Sequence, residues 1–212
     1  FSQPAIDCEP SGLPYDIEKV FTFGAICATR QINRRVIAAW SEILKSTPNS
    51  RLLIKARGLH STAIRKQYLN WFDANGVAAE RVVYLGNTSW STHMATYERV
   101  DLCLDPFPWS GSQAAMEAAW MGIPTLTWRG EAMWQRGAGS VMESFGLDEY
   151  IANAEDAYIR QATKLAGSID SLRHLRGKLR GMLQDSPFCD SKAFAQDFVR
   201  ALESVAALEP VC

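Results

Sequence analysis

The stretch Leu102-Cys103-Leu104-Asp105-Pro106-Phe107-Pro108-Trp109-Ser110-Gly111-Ser112 joins a short apolar strand to the start of a helix. The apolar spacing predicts that this helix runs over Ser112–Trp120, and another strand-like run follows it at 124–128. A strand, a crossover helix and a second strand are the unit from which parallel sheets are built. This stretch therefore predicts a parallel α/β fold.

The same alternation extends in both directions along the chain. Apolar runs at 20–26, 51–56 and 82–85 alternate with amphipathic segments that begin at Asn33, Ser61 and His93. Continuous apolar strands are typical of a parallel sheet buried on both faces. We therefore expect a Rossmann-like parallel sheet with helices on both faces over residues 19–212, and a linker or packed tail over residues 1–18. C-terminal helices are expected near 131–145, 154–166, 169–184 and 191–207, the last with Phe194, Phe198, Leu202 and Val205 on one face.

The composition indicates a folded chain without a global charge. Its 212 residues are 47% hydrophobic and 21% charged, which excludes disordered and fibrous proteins. A net charge of −1 offers no overall attraction to nucleic acid or to an anionic membrane. No apolar run approaches the roughly 18 residues of a membrane span, and no secretory leader is visible. We expect a cytoplasmic protein, and the start at Phe1 instead of Met leaves a missing upstream segment open.

The cysteines do not form a recognisable metal or disulfide pattern. There are five, an odd number, with no CxxC spacing, and the chain has three histidines. Zinc sites need clustered Cys and His ligands. We therefore expect reduced thiols and no metal. The cysteines are Cys8, Cys27, Cys103, Cys189 and Cys212.

The connections at the carboxyl ends of the strands are the expected binding region. They lie at 24–33, 56–61, 86–93 and 105–112, and the last is the richest. Gly111 permits a close approach, and the free N–H groups at Ser112, Gln113 and Ala114 predict an anion site. Glu117, just over one turn further, can accept hydrogen bonds from a vicinal diol such as a ribose. The alternative interpretation is an ordinary capped helix with a glutamate that complements its dipole.

The connection at 86–93 carries an aromatic ring and a histidine. Trp90 can stack on a flat base, and His93 can reach a phosphate or the base. The alternative is a capped helix start with a half-buried tryptophan. Other nucleotide and hydrolase motifs are absent: there is no GxGxxG after the first strand, no GxxxxGK[ST] and no GxSxG. The basic stretch Arg173, Arg176, Lys178 and Arg180 is predicted to be a solvated helix face.

Several segments together resemble one known family. In chain order they are 32–40, 48–53, 100–108 with its Asp-Pro-Phe-Pro loop, 117–124 with its Trp-Met-Gly-Ile-Pro, and 186–190. As a set they resemble the C-terminal catalytic half of glycosyltransferase family 41, the O-GlcNAc transferase and SPINDLY-like proteins. The resemblance covers roughly residues 19–205.

The resemblance implies a particular architecture and reaction. It implies the C-terminal lobe of a GT-B fold, which holds a nucleotide sugar such as UDP-GlcNAc. The reaction implied is an inverting, metal-independent transfer to a Ser or Thr hydroxyl of a protein acceptor. An N-terminal catalytic lobe and a TPR array normally precede this lobe, so the isolated chain would be inactive. No catalytic residue can be assigned, and neither nucleic acid nor membrane is an expected partner.

The resemblance also assigns binding roles by position. The histidine beside the uridine is His93, and the ribose carboxylate is Glu117. Thr88 falls where the backbone reads the uracil edge, and Trp90 replaces the usual Lys or Arg over the base. The phosphate-helix glycine is Gly111, and Arg136 matches an arginine of the following loop.

This chain departs from the family pattern at the diphosphate. Cys27 and Ala28 replace an amide pair, and Gln31 replaces the lysine that serves as the main cation. The Thr-Thr pair at the helix start is Gln113-Ala114. Candidates for the missing charge are Arg30, Lys55 and Arg57. The alternatives are a degenerate, non-catalytic lobe that serves folding or protein interaction, and an epimerase lobe, for which no convincing acid–base set is present.

Overall fold

The structure, a computed structural model, describes Phe1 and residues 10–207. Within these residues six parallel strands form one sheet in the order β3-β2-β1-β4-β5-β6. The predicted α/β fold with a parallel sheet is thus confirmed. The strands are β1 Phe21–Ile26, β2 Ser50–Lys55, β3 Val82–Leu85, β4 Leu102–Leu104, β5 Thr125–Trp128 and β6 Ile151–Ala152.

The centre of the sheet is apolar on both faces. Every residue of β1 is buried. Phe23 of β1 pairs with Leu52 on one side and with Leu102 on the other. A Cβ at Gly24 would lie 2.6 Å from both methyl carbons of Val100, so only glycine fits there. The close approach brings Val100, two residues before β4, directly onto β1.

Helices cover the two faces of the sheet. In the helix Arg34–Ser46 (α2) the predicted apolar positions, from Val36 to Leu44, are buried, and the Asn33 side chain caps the helix by accepting a 3.1 Å bond from the Val36 amide. Short 3-10 turns lie at 29–31, 79–81, 96–99, 133–135 and 148–150. The helices are α1 Pro14–Glu18, α2 Arg34–Ser46, α3 Thr62–Ala74, α4 Trp90–Ala95, α5 Ser112–Trp120, α6 Gly137–Ser144, α7 Glu155–Ala166, α8 Ile169–Arg176, α9 Leu179–Gln184 and α10 Ser191–Ala206.

Several predicted boundaries differ from the structure. The helix expected from His93 starts three residues earlier, because the Ser89 side chain accepts a hydrogen bond from the Thr92 amide and caps α4. The segment near 131–145 is a 3-10 turn followed by α6. The single helix expected over 169–184 is broken at Gly177 into α8 and α9. Two short elements, α1 and β6, were not predicted.

The basic stretch after residue 172 is a solvated face only in part: Arg173 and Lys178 are exposed as predicted, whereas Arg176 and Arg180 are not. Arg176 is buried, and its guanidinium donates to the carbonyl oxygens of Ser11 and Val100 at 2.6 and 2.9 Å. Arg180 donates to the Trp120 carbonyl oxygen and stacks on the Trp120 ring. These arginines anchor the C-terminal helices to the lobe, which a sequence pattern of charges does not reveal.

Four further predictions concern the cysteines, the apolar face of α10, membrane spans and the division at residue 18. Cys27, Cys103 and Cys189 are free thiols, whereas Cys8 and Cys212 lie outside the described residues. The apolar face predicted for α10 exists, but none of the residues of that helix is buried. Among the residues that the structure describes, no helix is long and apolar enough to cross a membrane. The division at residue 18 stays a prediction.

Candidate functional site

A cavity of about 870 Å³ lies at the carboxyl end of the sheet. All four connections predicted from the strand pattern contribute residues to its wall. The structure therefore brings the four connections together around one cavity. The site residues proposed from sequence all line the cavity: Arg30, Gln31, Thr88, Trp90, His93, Gly111, Ser112, Gln113, Ala114 and Glu117.

The loop between β4 and α5 is held in place by a buried carboxylate. Asp105 accepts hydrogen bonds from the Ser110 hydroxyl (2.6 Å), the Thr127 hydroxyl (2.8 Å) and the Gly111 amide (3.0 Å). Burial raises the pKa of Asp105 to about 6, although these hydrogen bonds oppose the shift. The Tyr158 hydroxyl also donates to the Asp105 carbonyl oxygen at 3.0 Å. These contacts fix the position at which α5 begins.

The start of α5 presents uncapped backbone to the cavity. Gly111 is the N-cap residue, and no side chain caps the helix. A Cβ on Gly111 would meet its nearest neighbours at 3.7 Å, which is ordinary contact, so packing does not require glycine there. Ser112 and Gln113 are exposed at the same end. Free N–H groups and the positive end of the helix dipole favour an anion at this point.

Glu117 lies one turn further along α5 and is buried in a polar cluster. Its Oε2 is 3.0 Å from Nε2 of His93 and accepts a 3.2 Å hydrogen bond from the Tyr97 hydroxyl. Its Oε1 accepts a 2.9 Å hydrogen bond from the amide of Gln113. Because the Gln113 side chain is exposed, it can turn away and leave Oε1 to a ligand hydroxyl.

An aromatic platform closes one side of the cavity. The rings of Trp90 and His93 are stacked, with centroids 5.5 Å apart and an interplanar angle of 17°. Trp90 is 48% exposed, so one face of its ring remains available. The platform is therefore flat, accessible and adjacent to Glu117 through His93.

The loop after β1 is organised around the neutral side chain of Gln31. Its Oε1 accepts from the Ala28 amide at 2.8 Å, and its Nε2 donates to the Trp109 carbonyl oxygen at 3.2 Å. The amide thus links the loop after β1 to the loop after β4. Arg30, beside it, is exposed at the cavity wall. The predicted roles of both residues in binding stay predictions.

Lys55 was only one of three candidates that the sequence offered for the missing charge. Lys55 ends β2, is 4% exposed, and donates a 2.7 Å hydrogen bond from Nζ to the hydroxyl of Thr88. A single lysine directly after the apolar run Leu52-Leu53-Ile54 was the available signal. Arg136, which the resemblance suggested, does not line the cavity and donates instead to the Gly130 carbonyl oxygen.

The parallel sheet, its strand order and the cavity beyond its carboxyl ends define a Rossmann-like lobe of the GT-B class. The sequence pattern of Glycosyl transferase family 41 matches residues 12–198. The chain therefore belongs to glycosyltransferase family 41, which confirms the resemblance found in its motifs.

Plant proteins of this family are similar over most of the chain. A protein of Solanum lycopersicum is 31% identical over 177 residues, which are 83% of this chain and 19% of that protein. One of Oryza sativa subsp. japonica is 32% identical over 192 residues, which are 90% and 20%. Both carry the name probable UDP-N-acetylglucosamine–peptide N-acetylglucosaminyltransferase SPINDLY. The chain spans about a fifth of the length of these relatives.

Solved structures show the same fold. A mutant of the Thermobaculum terrenum O-GlcNAc transferase superimposes with a TM-score of 0.85 at 30% identity, covering 94% of this chain and 38% of that one. The Anabaena protein HepE, solved with UDP and glucose, has a TM-score of 0.62 at 13% identity, covering 87% and 48%. The second likeness concerns the fold alone.

Proposed function

We propose that this chain is the nucleotide-sugar-binding lobe of an inverting protein O-glycosyltransferase that acts on Ser or Thr, with a UDP-GlcNAc-like donor. The proposal is supported by one observation above all. In a chain of this family, an aromatic platform, a buried carboxylate and an uncapped helix start converge on a single cavity. Their chemistry matches the base, the ribose and the diphosphate of such a donor.

The donor would lie across the cavity in an extended arrangement. The base stacks on the free face of Trp90, with Thr88 beside its edge. The ribose diol donates to Glu117, replacing the contact from Gln113. The diphosphate accepts hydrogen bonds from the backbone at Ser112 and the residues that follow, where the helix dipole stabilises charge on the leaving group.

The rest of the reaction would come from outside the described residues. We propose that the protein acceptor and the general base belong to a cleft with an N-terminal lobe, preceded by a TPR array. We also propose that the protein acts in the cytoplasm. Helix N–H groups and a side-chain cation can stabilise a departing diphosphate, so we propose that the transfer needs no metal ion. Transfer that persists in the full-length protein with excess EDTA would support this point, and its loss would oppose it.

Isothermal titration of the purified protein with UDP, GDP and their sugars tests the proposal. Binding of at least one diphosphate in the micromolar to millimolar range is expected, which corresponds to about 4–8 kcal/mol shared among the stacking, ribose and diphosphate contacts. Uridine should bind more weakly than UDP. Absence of binding by every nucleotide at millimolar ligand would overturn the proposal.

Glu117→Gln tests the ribose contact separately. The substitution retains the side-chain shape and removes the charge that accepts the diol. We expect affinity for UDP to fall about 10- to 30-fold, in line with the loss of charge-assisted hydrogen bonds. Affinity for 2′-deoxy-UDP should fall less, because that ligand has already lost one hydroxyl. Glu80→Gln, on an exposed turn, is the matched control. Equal losses for both ligands would refute the diol contact.

A second candidate function is a non-catalytic lobe that supports folding or protein interaction. The observation that favours it is the neutral Gln31, whose amide is bound to Ala28 and Trp109 within the protein. Assay of the full-length protein on peptide acceptors distinguishes the two. Sugar transfer supports the enzyme, whereas nucleotide binding without transfer supports the non-catalytic lobe.

A further inference from the structure

A buried lysine opens onto the cavity without an acidic partner. Lys55 lines the wall at the end of β2, and only 4% of it is exposed. Its Nζ donates to the hydroxyl oxygen of Thr88, which is neutral. Among the ion pairs of the described residues none involves Lys55. An ammonium group has three N–H donors, so two remain for a ligand.

The placement of this amine is energetically unfavourable for the free protein. Burial lowers the pKa of Lys55, and no nearby negative charge opposes the shift. An uncompensated charge in a protein interior costs free energy that an anionic ligand can recover. The other cations of the wall, Arg30 and Arg57, are exposed and therefore solvated. Lys55 is thus the cation of the cavity that gains most from an anion.

We propose that Lys55 is the cation that binds the diphosphate of the nucleotide sugar, in place of the residue at position 31. This inference rests on the proposed function. Gln31 is neutral, and its amide already bonds to Ala28 and Trp109. Lys55 and the N-terminus of α5 line the same cavity, and the proposal places the diphosphate between them. Thr88 holds the amine at the wall through one N–H, which leaves the remaining donors of the ammonium for phosphate oxygens.

Lys55→Met, compared across ligands of different charge, tests the assignment. UDP carries the diphosphate, and uridine carries only base and ribose; GDP and guanosine replace them if guanine is the preferred base. We expect diphosphate affinity to fall about 10- to 100-fold, as for loss of a charged hydrogen bond, and nucleoside affinity to stay within about twofold. An equal loss for UDP and uridine, or no loss for either, would overturn the assignment.

Further variants separate charge from fold. Lys55→Arg should retain much of the diphosphate affinity, whereas Lys55→Gln, which can still bond to Thr88, should behave like Lys55→Met. Lys66→Met, on the exposed side of α3, should bind as the wild type does. If Lys55→Gln bound UDP normally, charge would not be the cause and the inference would fail alone. If the wild type bound neither UDP nor GDP, the proposed function would fail with it.

Discussion

At the scale of single residues, the buried amine of Lys55 is expected to lower the free energy of unfolding, although the same amine is the cation that we propose for the diphosphate. The amine is desolvated, and Thr88 offers one neutral acceptor. The sequence shows a lysine at the end of an apolar strand, but it cannot show whether the side chain is buried. Burial distinguishes Lys55 from Arg30 and Arg57, the exposed arginines of the same wall.

Lys55→Met is therefore expected to make the protein more stable. Methionine fills a similar volume without a charge, and replacing buried charges by apolar groups can stabilise a protein by about 1 kcal/mol or more. The pKa of Lys55 lies below its ordinary 10.5 in the folded protein, so the unfolded chain binds more protons between the lowered value and 10.5. The free-energy cost of the buried Lys55 charge therefore decreases as pH rises through this window, and the free energy of unfolding rises.

Urea unfolding of wild type and Lys55→Met at neutral pH and near pH 10 measures this effect. The difference between the two free energies of unfolding should be largest at neutral pH and should shrink near pH 10. Comparing the two proteins at each pH cancels the titration of every other group. A wild type that is the more stable of the two at neutral pH would contradict the expectation.

At the scale of elements, the loop from β4 to α5 depends on Asp105. One carboxylate receives two hydroxyl donors and a backbone amide. The Ser110 hydroxyl in turn accepts a 2.8 Å hydrogen bond from the Ala138 amide of α6. The start of α5 is therefore joined to β5 through Asp105 and to α6 through Ser110.

Asp105→Ala should lower the free energy of unfolding by about 3 kcal/mol, because three donors lose a buried acceptor. The loss should be accompanied by weaker UDP binding, since the helix start is no longer fixed. Chemical denaturation and titration with UDP measure the two effects. Asp73→Ala, an exposed position near the end of α3, should change neither. Unchanged stability of Asp105→Ala would show that the loop is held by other contacts.

At the scale of the whole molecule, α10 differs from the other long helices. It contains a stacked pair, Phe194 and Phe198, with ring centroids 6.1 Å apart, yet both side chains are more than half exposed. By contrast Phe72, on α3, is fully buried. An apolar periodic pattern predicts a helix in both cases, but only tertiary packing decides which face is covered.

Matched substitutions measure this contrast. Phe198→Ala should change the free energy of unfolding by less than about 0.5 kcal/mol, the range of exposed positions. Phe72→Ala should cost about 3–5 kcal/mol, because it leaves a cavity in the core. Thermal or urea unfolding of both variants provides the comparison. A loss above about 2 kcal/mol in Phe198→Ala would show that α10 packs against the lobe.

The agreement between sequence and structure follows the length of each element. Buried strands such as β1 and long amphipathic helices such as α2 carry enough apolar residues for a period to be recognised. The five residues of α1 and the two of β6 do not. The cavity was predictable because parallel strands end at one edge of the sheet. Long-range contacts such as those of Arg176 were not, since they join residues up to 165 positions apart.

The order of the strands has a kinetic consequence. Strands β1, β2 and β3 are neighbours both in the chain and in the sheet, so they can pair through short crossovers. β4 must instead return to β1, and the buried bond from the Thr22 amide to Asp101 closes a separation of 79 residues. Such distant closures are slow steps of folding. Because the cavity takes its wall from both halves, we expect ligand binding to appear late during refolding, after the first three strands have assembled.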